Sequence, residues 1–134
     1  MRLRDPLENM PSHWSSLLAS AESEVTRTMD SLPSALRDKV GQLPVTFERR
    51  PGEALQEEGI EPDTLGLFVG EPLFEIGTTT APLPAQIILF LENIWDAAEG
   101  DEPDYRKEIR ATYLHELGHY LGLDELDLEE RGLG

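Results

Sequence analysis

Apolar residues recur at helical spacing from Trp14 through Leu17, Leu18, Ala21, Val25 and Met29 to Leu32. This period predicts an amphipathic helix, with Ser12 as candidate N-cap and Pro33 as its end. A second helical piece, SALRDKV, follows, with Gly41 as its stop. The period then changes to two. Leu43, Val45 and Phe47 alternate with Pro44, Thr46 and Glu48, the pattern of a half-buried strand. Residues 51–63 are polar and acidic, contain two glycines, and read as a loop. A second strand is expected around Leu65–Val69, closed by Gly70 and Pro72, and residues 76–85 read as an irregular connection. The run QIILFLENI is the strongest strand signal, although its apolar residues also fit a helix continuing toward Trp95.

Beyond the loop AEGDEPD, the segment YRKEIRATYLHELGHYLGL reads as a helix. Pro103 sits near its start, and Glu102 and Asp104 suit the positive end of the helix dipole. Gly118 lies inside it at a cost in helix propensity, a sign of close packing, and Gly122 suits a C′ position where the chain turns. A last short helix is expected in DELDLEERGLG, stopped by Gly132. The order helix, strand, strand, strand, helix predicts an α+β fold, a small mixed sheet packed on two main helices. The chain of 134 residues fits a single domain, 1–134, with residues 1–11 as a flexible leader.

Composition narrows the chemistry. Cysteine is absent, so disulfides and thiolate metal sites are excluded and any metal must be held by imidazole and carboxylate. Acidic residues number 27 against 11 basic, a net charge of −16. Such a surface repels phosphate backbones and anionic lipids, so neither nucleic acid nor membrane is an expected partner. Much of this acid serves solubility. The basic N-terminus has no apolar stretch behind it and does not read as a signal peptide. The most apolar run, Ala81–Trp95, is too short and too polar to span a bilayer. A cytoplasmic monomer is expected.

The residues HELGH at 115–119 form an HExxH pattern. Two histidines four apart on a helix stand about 40° apart in azimuth and about 6 Å apart along the axis, so both rings reach one ion. Glu116 sits beside the first of them, placed to act as general base when water attacks a carbonyl. Five-residue patterns arise by chance, but here two of the chain's three histidines fall in the motif, on a predicted helix. The pattern also extends to HELGHYLGLDE: Gly122 breaks the helix and Glu125 falls where a third ligand belongs, with Asp124 as the alternative. Zinc suits such a donor set. His13, beside Trp14, reads as structural, and Tyr105, Tyr113 and Tyr120 read mostly as packing residues. A tyrosine or a backbone amide could also stabilise an oxyanion, and the sequence does not choose one. No phosphate-binding glycine loop and no basic–aromatic stripe is present.

With these stretches the chain resembles the small bacterial minimal zincin-like metallopeptidase family. The resemblance runs from about Trp14 to Gly132 through DSLPSALRDKV, PVTFERRP, LGLFVGEPL, QIILFLENI and the HELGH segment. It implies a compact zincin-like domain, zinc ligands His115, His119 and Glu125, Glu116 as base, and peptide or flexible protein segments as substrates. The chain departs from larger relatives in lacking a methionine after the motif, and from many small ones in having Tyr120 after the second histidine. The strand QIILFLENI is the expected partner of an extended peptide. Two rival readings stand beside hydrolysis of peptide bonds: a catalytically silent, metal-stabilised peptide- or protein-binding module, and a metal-dependent ribonuclease. The charge weighs against the latter.

Overall fold

The computed structural model describes residues 6–70 and 84–122. Helix α1 spans Pro6–Asp30 and α2 Ser34–Val40. Strand β1 covers Val45–Glu48, the short helix α3 Glu53–Glu57, and β2 Gly66–Val69. Strand β3, Gln86–Phe90, leads directly into α4, Leu91–Ala97, and α5 occupies Glu102–Tyr120. The three strands make a mixed sheet in the order β1-β3-β2, with β3 parallel to β1 and antiparallel to β2. The helices pack on it, giving the expected α+β fold with the histidine motif on α5.

Burial explains each strand. In β1 Val45 and Phe47 are half-buried while Thr46 and Glu48 face solvent, as the alternation predicts. In β3 both faces are covered: Ile87, Leu89 and Phe90 are fully buried and Ile88 nearly so. A strand flanked on both sides has its backbone donors and acceptors committed to its neighbours. That overturns the expectation that QIILFLENI offers an edge to a peptide, since β3 is the central strand. Its period also breaks at Phe90. From there Leu91, Ile94 and Ala98 are buried at helical spacing, so the segment is strand and then helix.

Two further boundaries differ from expectation. Helix α1 begins at Pro6, which puts Ser12 inside the helix instead of at its cap. The acidic stretch after Pro51 contains α3, five residues of good helix formers (EALQE) ended by Gly59 at φ +100°. Pro72, residues 76–83 and the expected last helix lie outside the described residues.

The core centres on α5. Tyr105, Ile109, Tyr113 and Leu117 are buried along it, against Leu17, Ala21 and Val25 of α1, Ile94 of α4, and Ile87 and Leu89 of β3. Fully burying one such aliphatic side chain stabilises the fold by about 1.5–3 kcal/mol. Polar contacts fix the register of the two main helices. The Tyr105 hydroxyl donates to the Leu17 carbonyl at 2.9 Å, and Ser20 Oγ donates to Glu102 at 3.1 Å. No helix among the described residues is long and apolar enough to cross a membrane.

Candidate metal centre

The site begins with the caps of α5. Asp101 accepts a hydrogen bond from the Asp104 backbone N–H at 3.0 Å, Pro103 lies in the first turn, and Glu102 and Asp104 face the positive end of the dipole. At the other end Leu121 is the C-cap and Gly122 takes φ +77°, the left-handed turn expected of it. His115 and His119 lie in the last turns, where the helix dipole favours a cation.

The imidazole rings of His115 and His119 are edge-on at 81°, with centroids 4.8 Å apart and Nε2 atoms 3.1 Å apart. Ligand atoms from His115, Glu116 and His119 all lie within 4.8 Å of one another. Two imidazole nitrogens about 2.0–2.1 Å from one tetrahedral zinc stand about 3.3 Å from each other. The observed pair therefore converges on a point that suits such an ion, and the donors are of the type zinc accepts. Among the described residues this is the group of His and acidic side chains able to hold a metal. The residues expected to complete it, Glu125 and its alternative Asp124, lie outside the described residues.

Strand β2 forms the opposite wall. One groove of about 330 Å³ is lined by Leu65, Gly66, Ala111, Thr112, His115 and Glu116. A second, of about 400 Å³, is lined by Leu67, Phe68, Gly70, Glu116 and His119. Glu116 borders both, so the cluster sits midway along a furrow between α5 and β2, which with β1 is one of two edge strands among the described residues. No lysine or arginine is among the described residues lining either groove. Phe68 packs at 5.7 Å from the Tyr120 ring and holds the strand against the helix end.

His13, Tyr105 and Tyr113 line neither groove, whereas Tyr120 packs behind Phe68. His13 makes an edge contact with Trp95 at 5.4 Å, and Trp95 makes another with Tyr105 at 5.4 Å. Tyr105 and Tyr113 are buried, and burial pushes both hydroxyls above the ordinary tyrosine value, with the nearby Glu102 charge adding to the shift of Tyr105. Tyr120 is buried as well, so all three tyrosines are packed side chains.

Two residues position the site in ways the sequence reading did not foresee: Asn93, expected only to close the core, and Gly66. Asn93 is buried on α4 and its amide donates to the carbonyls of Pro62 and Thr64 at 2.8 and 2.9 Å, while its Oδ1 accepts from Arg50 at 2.6 Å. It ties down the turn that delivers β2. Gly66 is the other: a side chain there would collide with Thr112, so the glycine lets α5 approach the strand. A glycine inside a strand pattern is a known sign of close approach, and TLGLFVG carries that sign.

The profile of one protein family, described as zincin-like metallopeptidase, matches residues 40–134. The match takes in the sheet, α5 and the region of Asp124 and Glu125, and begins well after Trp14, leaving α1 outside it. Comparison with curated proteins gives no match.

Proposed function

The chain belongs to the zincin-like metallopeptidase family, and from that premise we propose that it hydrolyses peptide bonds with zinc at the α5 cluster. His115 and His119 would hold the ion, with Glu125, or alternatively Asp124, as the third ligand. Zinc, when bound, supplies Lewis acidity, lowering the pKa of water beside it and polarising a carbonyl oxygen. Glu116 accepts the proton of the attacking water and passes it to the leaving amine, a role open to a carboxylate that borders both grooves. The observation that carries this reading is the convergence of both Nε2 atoms and the Glu116 carboxylate on one half-buried point.

The substrate would be an extended peptide segment laid in the furrow beside β2. An edge strand offers backbone donors and acceptors to such a segment, and β2 takes the part first expected of QIILFLENI. Grooves of this size admit few side chains, which favours short or flexible substrates over folded ones. The absence of cations from the described groove lining favours a peptide over an RNA backbone. A single-domain monomer acting in the cytoplasm completes the proposal.

The test starts with metal content. The chain, purified without a histidine tag, is expected to carry about one zinc, lost or loosened in His119→Ala and Glu125→Ala. A peptide library is then screened for cleavage, with Glu116→Ala as the inactive control. Zinc without cleavage of any peptide would support a silent binding module. Failure to take up zinc at neutral pH would sink the hydrolase reading.

A further inference from the structure

Gly66 has no conformational reason to be glycine. Its φ is not positive, unlike that of Gly70 at +107°. Inside a strand a glycine costs backbone entropy and contributes no packing. What it supplies is room. A Cβ at this position would lie 2.5 Å from Thr112 Cγ2, 3.2 Å from Leu89 Cδ2 and 3.3 Å from Glu116 Cγ. Thr112 and Glu116 are one helical turn apart on the same face of α5, and both line the first groove with Gly66. Thr112 is buried, and its β-branched side chain has few rotamers to retreat into.

From these contacts we infer that Gly66 is a positioning residue for Glu116. The missing side chain sets how closely α5 lies on β2, and it leaves the stem of Glu116 the space from which its carboxylate reaches both grooves. The catalytic consequence rests on the peptidase reading, whereas the steric coupling does not. A methyl group at position 66 meets three neighbours, Leu89 on the sheet and two on α5, and it acts on the two helix residues separately. It forces Thr112 away, which shifts the helix, and it presses on the Glu116 stem, which re-aims the carboxylate. Thr112→Ser removes the Cγ2 methyl, so it relieves the first effect and leaves the second.

The experiment follows from that separation. Urea unfolding is measured on the metal-free full chain for Gly66→Ala, Thr112→Ser and the pair, each with and without Glu116→Ala. Gly66→Ala alone is expected to lower the midpoint, and Thr112→Ser to restore most of the loss in the pair. Glu116→Ala, which deletes Cγ, is expected to cost less beside Ala at 66 than in the Thr112→Ser background. With zinc bound, the Gly66→Ala/Thr112→Ser pair should keep the parent's zinc affinity by chelator competition and its KM, while kcat falls between about tenfold and a hundredfold, the scale of a small misplacement. Additive effects of Gly66→Ala and Glu116→Ala on unfolding would overturn the inference, as would parent kcat in the pair. If the parent cleaves no peptide, the peptidase reading fails and the unfolding coupling still decides the role of Gly66.

Discussion

Helix α5 presents two unlike sides. Toward α1 and α4 it is sealed: Tyr105, Ile109 and Leu117 are buried among apolar neighbours, and polar contacts close the rim. Arg106 at that rim bonds Glu102 at 3.1 Å and lies 3.7 Å from Glu24. Toward β2 the helix is left partly open, with two grooves and three half-buried polar side chains converging on one point. A 19-residue helix thus serves as pillar on one side and as site on the other. The contrast teaches how a small domain keeps a polar cluster in register: rigidity is supplied across the helix from the chemistry.

The strongest way to break the comparison is to damage the sealed side. Ile109→Ala removes a fully buried side chain and is expected to cost about 2–5 kcal/mol, read from urea unfolding. Zinc affinity of the fraction still folded should stay at the parent value, because Ile109 lines neither groove. Loss of affinity in that folded fraction would show that the two sides are not separable.

A subtler probe sits on the same seam. Tyr105→Phe deletes the bond to the Leu17 carbonyl and should cost about 0.5–1.5 kcal/mol at neutral pH. The effect depends on pH with a definite sign. Burial first, and Glu102 second, raise the Tyr105 hydroxyl above its unfolded value. Its contribution is therefore complete below the ordinary tyrosine value of about 10 and is lost as pH rises through the higher native value. Stability of the parent should fall in that alkaline range, and the Phe variant should fall less steeply, with Tyr113 as the remaining buried hydroxyl. Parallel curves for both proteins would remove Tyr105 as the cause.

Legibility in the sequence divides along the same lines. Where a residue's role is set by local period or spacing, it could be read: the alternation of β1, the motif on α5, the turn at Gly122. Where the role is set by what lies across the sheet or helix, it could not. The central position of β3 depends on pairing with segments far along the chain, and an apolar run alone does not distinguish a covered strand from an edge. The switch from strand to helix at Phe90 hides inside one such run. Helix α3 is shorter than the window over which a period shows. Asn93 reads as a residue that closes the core, and its hold on the turn before β2 is hidden until the carbonyls of Pro62 and Thr64 appear beside it. Gly66 left a trace, but its partner Thr112 lies on another element.

The smallest expected effect concerns charge, and it sharpens the contrast from the open side. Several described cations are drawn into seams. Arg49 bonds Glu92 at 2.6 Å, Arg50 lies 3.0 Å from Asp96, and Arg106 pairs with Glu102 and Glu24. The furrow has none among its described lining, in a chain of net charge −16. Peptides carrying lysine or arginine beside the scissile bond should then be cleaved a few-fold faster than isomers carrying glutamate or aspartate. The difference should appear in kcat/KM at low salt, because the field acts on encounter. It should fade as salt shortens the screening length from about 10 Å at 0.1 M to about 3 Å at 1 M. A preference that survives 1 M salt would instead require a direct side-chain contact in the furrow, and equal rates at low salt would show that the acidic surface does not extend its field into the site.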